Sequence, residues 1–139
     1  MRKSGTHGRR PLSKAQLLPL PTDQVRRLSL KHHLALVCLA DGRGDVDTLS
    51  TLANVVELAH QLGAGDGVII RPAQDAIAAC VDRAEQTAKI GITEVERAAI
   101  AAVLVYHDAQ LARVPLYRYA EALEQAAGQA RRAAGVNHR

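Results

Sequence analysis

The sequence predicts an all-α protein, a compact bundle of about five helices behind an extended basic amino-terminal arm. Three observations carry this. Apolar residues recur every three or four positions in one segment after another, which is the helical period. Capping residues open these segments, and glycine or proline closes them. The one run with strand character, Val68-Ile69-Ile70, has no second run to pair with and reads as an extended linker.

In residues 1–28, Gly5, Gly8, Pro11, Pro19 and Pro21 break any period, giving an extended arm whose apolar anchors are Leu17, Leu18 and Leu20. The helical domain follows over 29–130. Ser29 is placed to cap a first helix from Leu30 to about Ala40, with Leu30, Leu34 and Val37 on its inner stripe, and Asp41-Gly42-Arg43-Gly44 stops it. A second helix begins after Asp47 or Thr48. It turns Leu49, Leu52, Val56 and Ala59 inward with Val55 and Leu62 beside them, and ends at Gly63. Pro72 suits the first turn of a third helix with Ala73, Ile77, Cys80, Ala84 and Ala88 inward, and Gly91 is its natural stop. Thr93 and Glu96 form a capping box for a fourth helix, whose interior from Ala98 to Val105 is apolar on every side and so belongs at the centre of the bundle. Pro115 then separates a fifth helix, Leu116 to Ala130, with Leu116, Ala120, Leu123 and Ala127 inward and Arg118, Glu121 and Gln125 outward. Residues 131–139 are a short basic tail.

The 139 residues suffice for one domain. With no Phe or Trp, the core must come largely from 25 Ala and 17 Leu, which bury little area apiece, so a homodimer is expected as a way of burying more. The charge is unevenly divided. The first 31 residues hold eight Lys or Arg against one Asp, and the other 108 hold ten basic and thirteen acidic residues. A cationic arm on an acidic body is the footprint of a polyanionic partner. Arg2, Lys3, Arg9, Arg10, Lys14, Arg26 and Arg27 are accordingly the expected nucleic-acid contacts. The arm has no aromatic platform for stacking bases, which favours phosphate contact on a duplex.

Other motifs are weaker. Gly91-Ile92-Thr93 resembles the turn of a helix-turn-helix, but Glu94 and Glu96 would face the DNA and Arg97 occupies an inward position, so an ordinary αα-corner is expected. His32, His33, Cys38, His60 and His107 lack metal-ligand spacings, and Asp41 to Asp47 lacks the oxygens and terminal Glu of a calcium loop, so no metal or cofactor is expected. Arg43-Gly44-Asp45 reads as part of a turn. His107-Asp108 near Tyr106 has acid–base character but no nucleophile or oxyanion donor beside it, so the chain is read as non-enzymatic. Cys38 and Cys80 are expected as reduced thiols. No apolar leader follows Met1-Arg2-Lys3 and the longest apolar run, Ala98 to Tyr106, is nine residues, so a cytoplasmic protein without membrane contact is expected.

The segments Lys31-His32-His33-Leu34-Ala35-Leu36, Gly44-Asp45-Val46-Asp47 to Leu49, and Glu96-Arg97 to Tyr106-His107-Asp108 resemble small helical proteins of proteobacterial prophages and plasmids, some labelled Fis-family transcriptional regulators. The resemblance implies a bacterial, mobile-element regulatory protein. The Fis label would also imply a basic carboxy-terminal helix-turn-helix, from which Glu121 and Glu124 depart. The expected function is therefore an accessory or regulatory protein touching nucleic acid non-specifically through its arm. The alternative is a protein-binding bundle, an inhibitor or assembly subunit, that oligomerises through Leu17, Leu18 and Leu20.

Overall fold

The computed structural model describes residues 11–63 and 67–137, with side chains described as far as 133. Within them lie six helices: α1 (Lys14–Leu17), α2 (Thr22–Ala40), α3 (Val46–Gln61), α4 (Ile70–Thr87), α5 (Glu94–Arg113) and α6 (Leu116–Asn137). Helix α5 packs against α2, α3 and α4, α3 also touches α2, α4 and α6, and α1 lies on α6.

Helix α3 is the hub. Asp45 caps it, accepting from the Thr48 amide at 2.9 Å and the Thr48 hydroxyl at 2.8 Å. The loop before it folds back on Leu39 so tightly that a Cβ on Gly44 would stand 2.7 Å from Leu39 Cδ1 and 3.0 Å from its Cα, so any larger residue there would displace the buried Leu39. Leu49, Leu52, Val55, Val56, Leu58 and Ala59 are all buried, two rows of side chains that serve neighbours on two sides. A helix end leaves its last carbonyls unpaired. Here each finds a donor: Leu62 N for Leu58 O, Gly63 N for His60 O, Gln110 Nε2 for Ala59 O at 3.1 Å, and Arg118 Nη2 for Gln61 O at 2.8 Å. Two of these donors come from α5 and α6, so the helix terminus is also the joint that ties those helices on.

The corner between α4 and α5 is built by side chains. Ala88 ends α4 in a left-handed conformation (φ 61°), three residues ahead of the glycine expected to stop it, and Thr87 braces the turn by accepting from Lys89 N. Thr93 and Glu96 complete the capping box expected of them. Glu96 is also gripped by Arg83 through two hydrogen bonds, 3.2 and 2.8 Å, while the same guanidinium donates to Gly91 O.

Two apolar clusters fill the bundle. The larger joins Leu36 and Leu39 to α3, α4 and α5 through residues such as Leu52, Cys80, Ile100 and Leu104. The smaller contains Leu20, Leu58, Leu111, Val114, Tyr119 and Ala122, with Val25 and Leu28 packed against it.

Several expectations are corrected. Helix α2 begins at Thr22, so Arg26 and Arg27 are helical and Ser29 is an interior residue. The two added turns bring Val25, Leu28, His32, Leu36 and Leu39 into one inward stripe, which outcompetes the shorter Leu30, Leu34 and Val37; these three are 58%, 51% and 49% exposed. In α6 the inward face is turned by one residue, to Tyr119 and Ala122, because Tyr119 buries more area than Leu123 and Ala122 allows close approach to α3. Ala120, Leu123 and Ala127 are exposed. Helix α5 is central as expected, but its fourth side, Ala98, Ala102, Val105, Ala109 and Ala112, faces outward. Ile70 opens α4 and is buried, in place of an extended linker, and residues 131–137 continue α6.

The arm is not extended throughout. Ser13 caps α1, Leu116 N donates to Leu18 O at 2.9 Å, and Pro19 bridges Pro115. Leu20, 5% exposed, is part of this chain's own core, whereas Leu17 and Leu18 remain outside. Replacing Leu20 by Ala is therefore expected to lower unfolding free energy by about 2–5 kcal/mol, and Leu17→Ala by no more than about 0.5 kcal/mol, as read from urea denaturation of the two variants.

Candidate functional site

The expected nucleic-acid residues divide in two. Arg2, Lys3, Arg9 and Arg10 lie outside the described residues. Lys14 on α1 and Arg26 and Arg27 on α2 are exposed, and among the described residues none of the three has an acidic partner. The body's cations are mixed, and Lys31, Arg71, Lys89 and Arg131 likewise have no acidic partner among the described residues. Arg43 pairs with Asp41, Arg83 with Glu96, and Arg97 with Glu94, while Arg118 and Arg113 donate to backbone carbonyls. Arg43 and Asp45 are thus both engaged locally, the first with Asp41 and the second as the α3 cap.

Between α2 and α6 the bundle opens into a cleft floored by α3, with a volume of about 490 Å³. Its lining is mostly apolar, with Leu28, Val55, Leu58, Tyr119 and Leu123, and includes the polar side chains of Lys31, His32, Thr51, Asn54 and Arg131. No Asp or Glu among the described residues lines it. Sequence reasoning missed this site because its polar groups come from three helices and only Lys31-His32 are neighbours in the chain.

Behind the cleft a polar layer separates the two apolar clusters. His107, fully buried, shares a 2.7 Å hydrogen bond with Gln110 Oε1 through Nδ1, and Gln110 passes the chain on to Ala59 O. The His107 ring lies 5.7 Å from that of His32, centroid to centroid. His32 Nδ1, His107 Nε2 and Asp108 Oδ1 are buried without a hydrogen-bond partner. At the outer edge of the seam His33 Nε2 and Asp108 Oδ2 meet at 2.8 Å, tying α2 to α5. Burial holds His32 down at about 4, with the neighbouring His107 adding to the effect, and burial likewise lowers His107. Both rings are therefore neutral near pH 7 and can offer one N–H each.

His107 and Asp108 do not form an acid–base pair with each other, since one binds Gln110 and the other His33. Among the described residues no three His, Cys, Asp or Glu side chains come together as a metal-ligand set, and no helix is long and apolar enough to cross a membrane. Cys38 and Cys80 are both free thiols. Burial pushes the Cys80 thiol up, helped by the Glu96 carboxylate, to which it donates at 3.6 Å.

Comparison with known proteins finds no matching family model, no matching curated protein and no matching solved structure.

The two kinds of shifted group set the acid response. Neutral His32 contributes fully above its unfolded value of 6.5, and that contribution is lost as pH falls through about 4. The Arg83 guanidinium holds Glu96 at about 2, so its contribution is complete above 4.5 and is lost as pH falls to about 2. Denaturation midpoints measured from pH 7 to 2 are expected to fall in both windows. His32→Leu should reduce the fall in the upper window by at most about 3 kcal/mol and leave the part due to His107, and Glu96→Gln should change only the lower window.

Proposed function

We propose that this chain is a non-enzymatic accessory or regulatory protein that contacts nucleic acid through the basic face of its amino-terminal segment. The observation that carries the reading is the concentration of cations in the amino-terminal segment, where the first 31 residues hold eight Lys or Arg against one Asp. Of these, Lys14, Arg26 and Arg27 stand exposed with no acidic partner among the described residues. Unpaired surface cations are free to displace counterions from phosphates, and such contacts need charge and reach but no base-reading groups. Arg2, Lys3, Arg9 and Arg10 precede them in the chain and add charge of the same sign. The setting suggested by the sequence resemblance, a bacterial mobile element, fits this reading.

Self-association is a second reading, supported by one surface. Leu30, Leu34 and Val37 on α2 are about half exposed, and Val105 on the adjoining α5 is 65% exposed, beside the His33–Asp108 link that joins the two helices. Large apolar side chains grouped in this way mark an interaction surface. In this reading the homodimer forms through the α2–α5 face. Leu17 and Leu18 supply further exposed apolar surface on the arm, and Leu20 is already used within the chain.

The two readings separate by substitution. Binding of a labelled random duplex at several salt concentrations is expected to weaken steeply with salt, and the Lys14→Gln, Arg26→Gln, Arg27→Gln triple variant should show a slope of log K against log salt shallower by up to about 3. Failure to bind at low salt, or an unchanged slope, would remove the nucleic-acid reading. Light scattering is expected to give a dimer mass for the parent chain and a monomer mass for Leu34→Glu. A monomeric parent would remove the assembly reading.

A further inference from the structure

We propose that the outer face shared by α2 and α5 pairs with the same face of a second copy about a two-fold axis crossing the helices, so that α5 lies antiparallel on α5 and α2 on α2. This rests on the self-association reading above and gives it a geometry. The face is one continuous surface. The 2.8 Å hydrogen bond between His33 and Asp108 holds the two helices side by side. Leu30, Leu34 and Val37 lie within about one turn of His33, and Val105, Ala109 and Ala112 lie within about one turn of Asp108, all of them exposed. On α5 the exposed row runs back through Ala102 and Ala98 to Val95, with apolar residues at alternating steps of three and four. A helix that is apolar on every side is ordinarily covered on every side. Here α2, α3 and α4 pack on α5, and this row is left without cover among the described residues, Val95 being 80% exposed.

Size and charge point to a second copy as the cover. Two helices about 30 Å long and about 10 Å across present about 600 Å² in projection. Accessible area exceeds projected area, so the face approaches the roughly 800 Å² that each partner of a stable pair buries. Charge then selects the arrangement. Within the chain α2 and α5 run antiparallel, since Leu28 shares the smaller cluster with Leu111, while Leu36 and Leu39 share the larger with Ile100 and Leu104. An axis along the helices would lay α2 on the copy's α5, bringing Arg26 and Arg27 toward Arg113 and Asp41 toward Glu94, like charge against like. An axis across the helices lays each helix antiparallel on its own counterpart. The exposed row of α5 is then self-complementary about a centre between Val103 and Leu104. Val95 faces the copy's Ala112, Ala98 faces Ala109, Ala102 faces Val105, and Glu94 meets Arg113 at both ends. Glu94 and Arg113 are exposed and form the rim. The alanines let the two helices approach to about 8 Å, the short end of the usual interaxial range.

The test is register-specific disulfide formation in the full chain. Ala98→Cys and Ala109→Cys are made separately with Cys38→Ser, and Cys80 stays in place because it is fully buried. Each is oxidised with copper–phenanthroline alone, and as a mixture refolded together from urea. Expected is a covalent dimer that forms at least fivefold faster in the mixture than in either chain alone. Two copies of position 98 would stand about 16 Å apart along the axis at the helical rise, too far for a disulfide. Light scattering of the parent chain is run beside it. A monomeric parent overturns this geometry and the self-association reading together. A dimeric parent that Leu34→Glu dissociates, with no preference for linkage in the mixture, overturns the geometry alone. Rapid linkage of either single variant with itself, the result of a parallel pair, also overturns it.

Discussion

The carboxy-terminal end of α3 is the point on which the architecture depends. Buried carbonyls that have lost their water must be paired, and an unpaired one costs about 1–3 kcal/mol. The chain meets that requirement for Ala59 and Gln61 with side chains from elsewhere, Gln110 of α5 and Arg118 of α6. Satisfying one helix end thereby fixes the position of two others. Gln110 in turn orients His107 through its Oε1, so the polar layer across the middle of the bundle is a consequence of the same constraint.

That layer divides an Ala-rich core into two clusters and accounts for its specificity. Apolar contacts alone are non-directional and tolerate sliding of one helix along another. A bundle without Phe or Trp has few large side chains to lock its register. Hydrogen bonds between His107, Gln110 and Ala59, with His33–Asp108 at the edge and Arg83–Glu96 at the α4–α5 corner, supply direction where packing is weak. The cost is buried polar atoms without partners, among them His32 Nδ1.

The arm illustrates how local and distant forces combine. Prolines at positions 11, 19 and 21 keep the segment from joining α2, yet Ser13 and Gln16 still form a single capped turn. The segment is then held by Leu20 in the smaller cluster and by the bond from Leu116 N to Leu18 O. Lys14 is consequently anchored to the body and stays exposed, as do Arg26 and Arg27 one helix later. An anchored cation loses less freedom on meeting a phosphate than one on a free tail.

The amino-acid sequence by itself determined the helical class, the cap at Thr93 with Glu96, the inward residues of α3 other than Leu58, and the segregation of charge, because each depends on neighbours within a few positions in the chain. It left the inward faces of α2 and α6 open. For those helices two apolar stripes of similar strength were available, and the choice rested on distant partners: Val25 and Leu28 of α2 and Tyr119 and Ala122 of α6 joining the cluster around Leu58 and Leu111, and His32 accepted into the interior beside His107. The cleft is likewise a product of tertiary structure alone. It exists because α2 and α6 both pack on α3 while standing apart from each other, an arrangement of helix positions that no local spacing encodes.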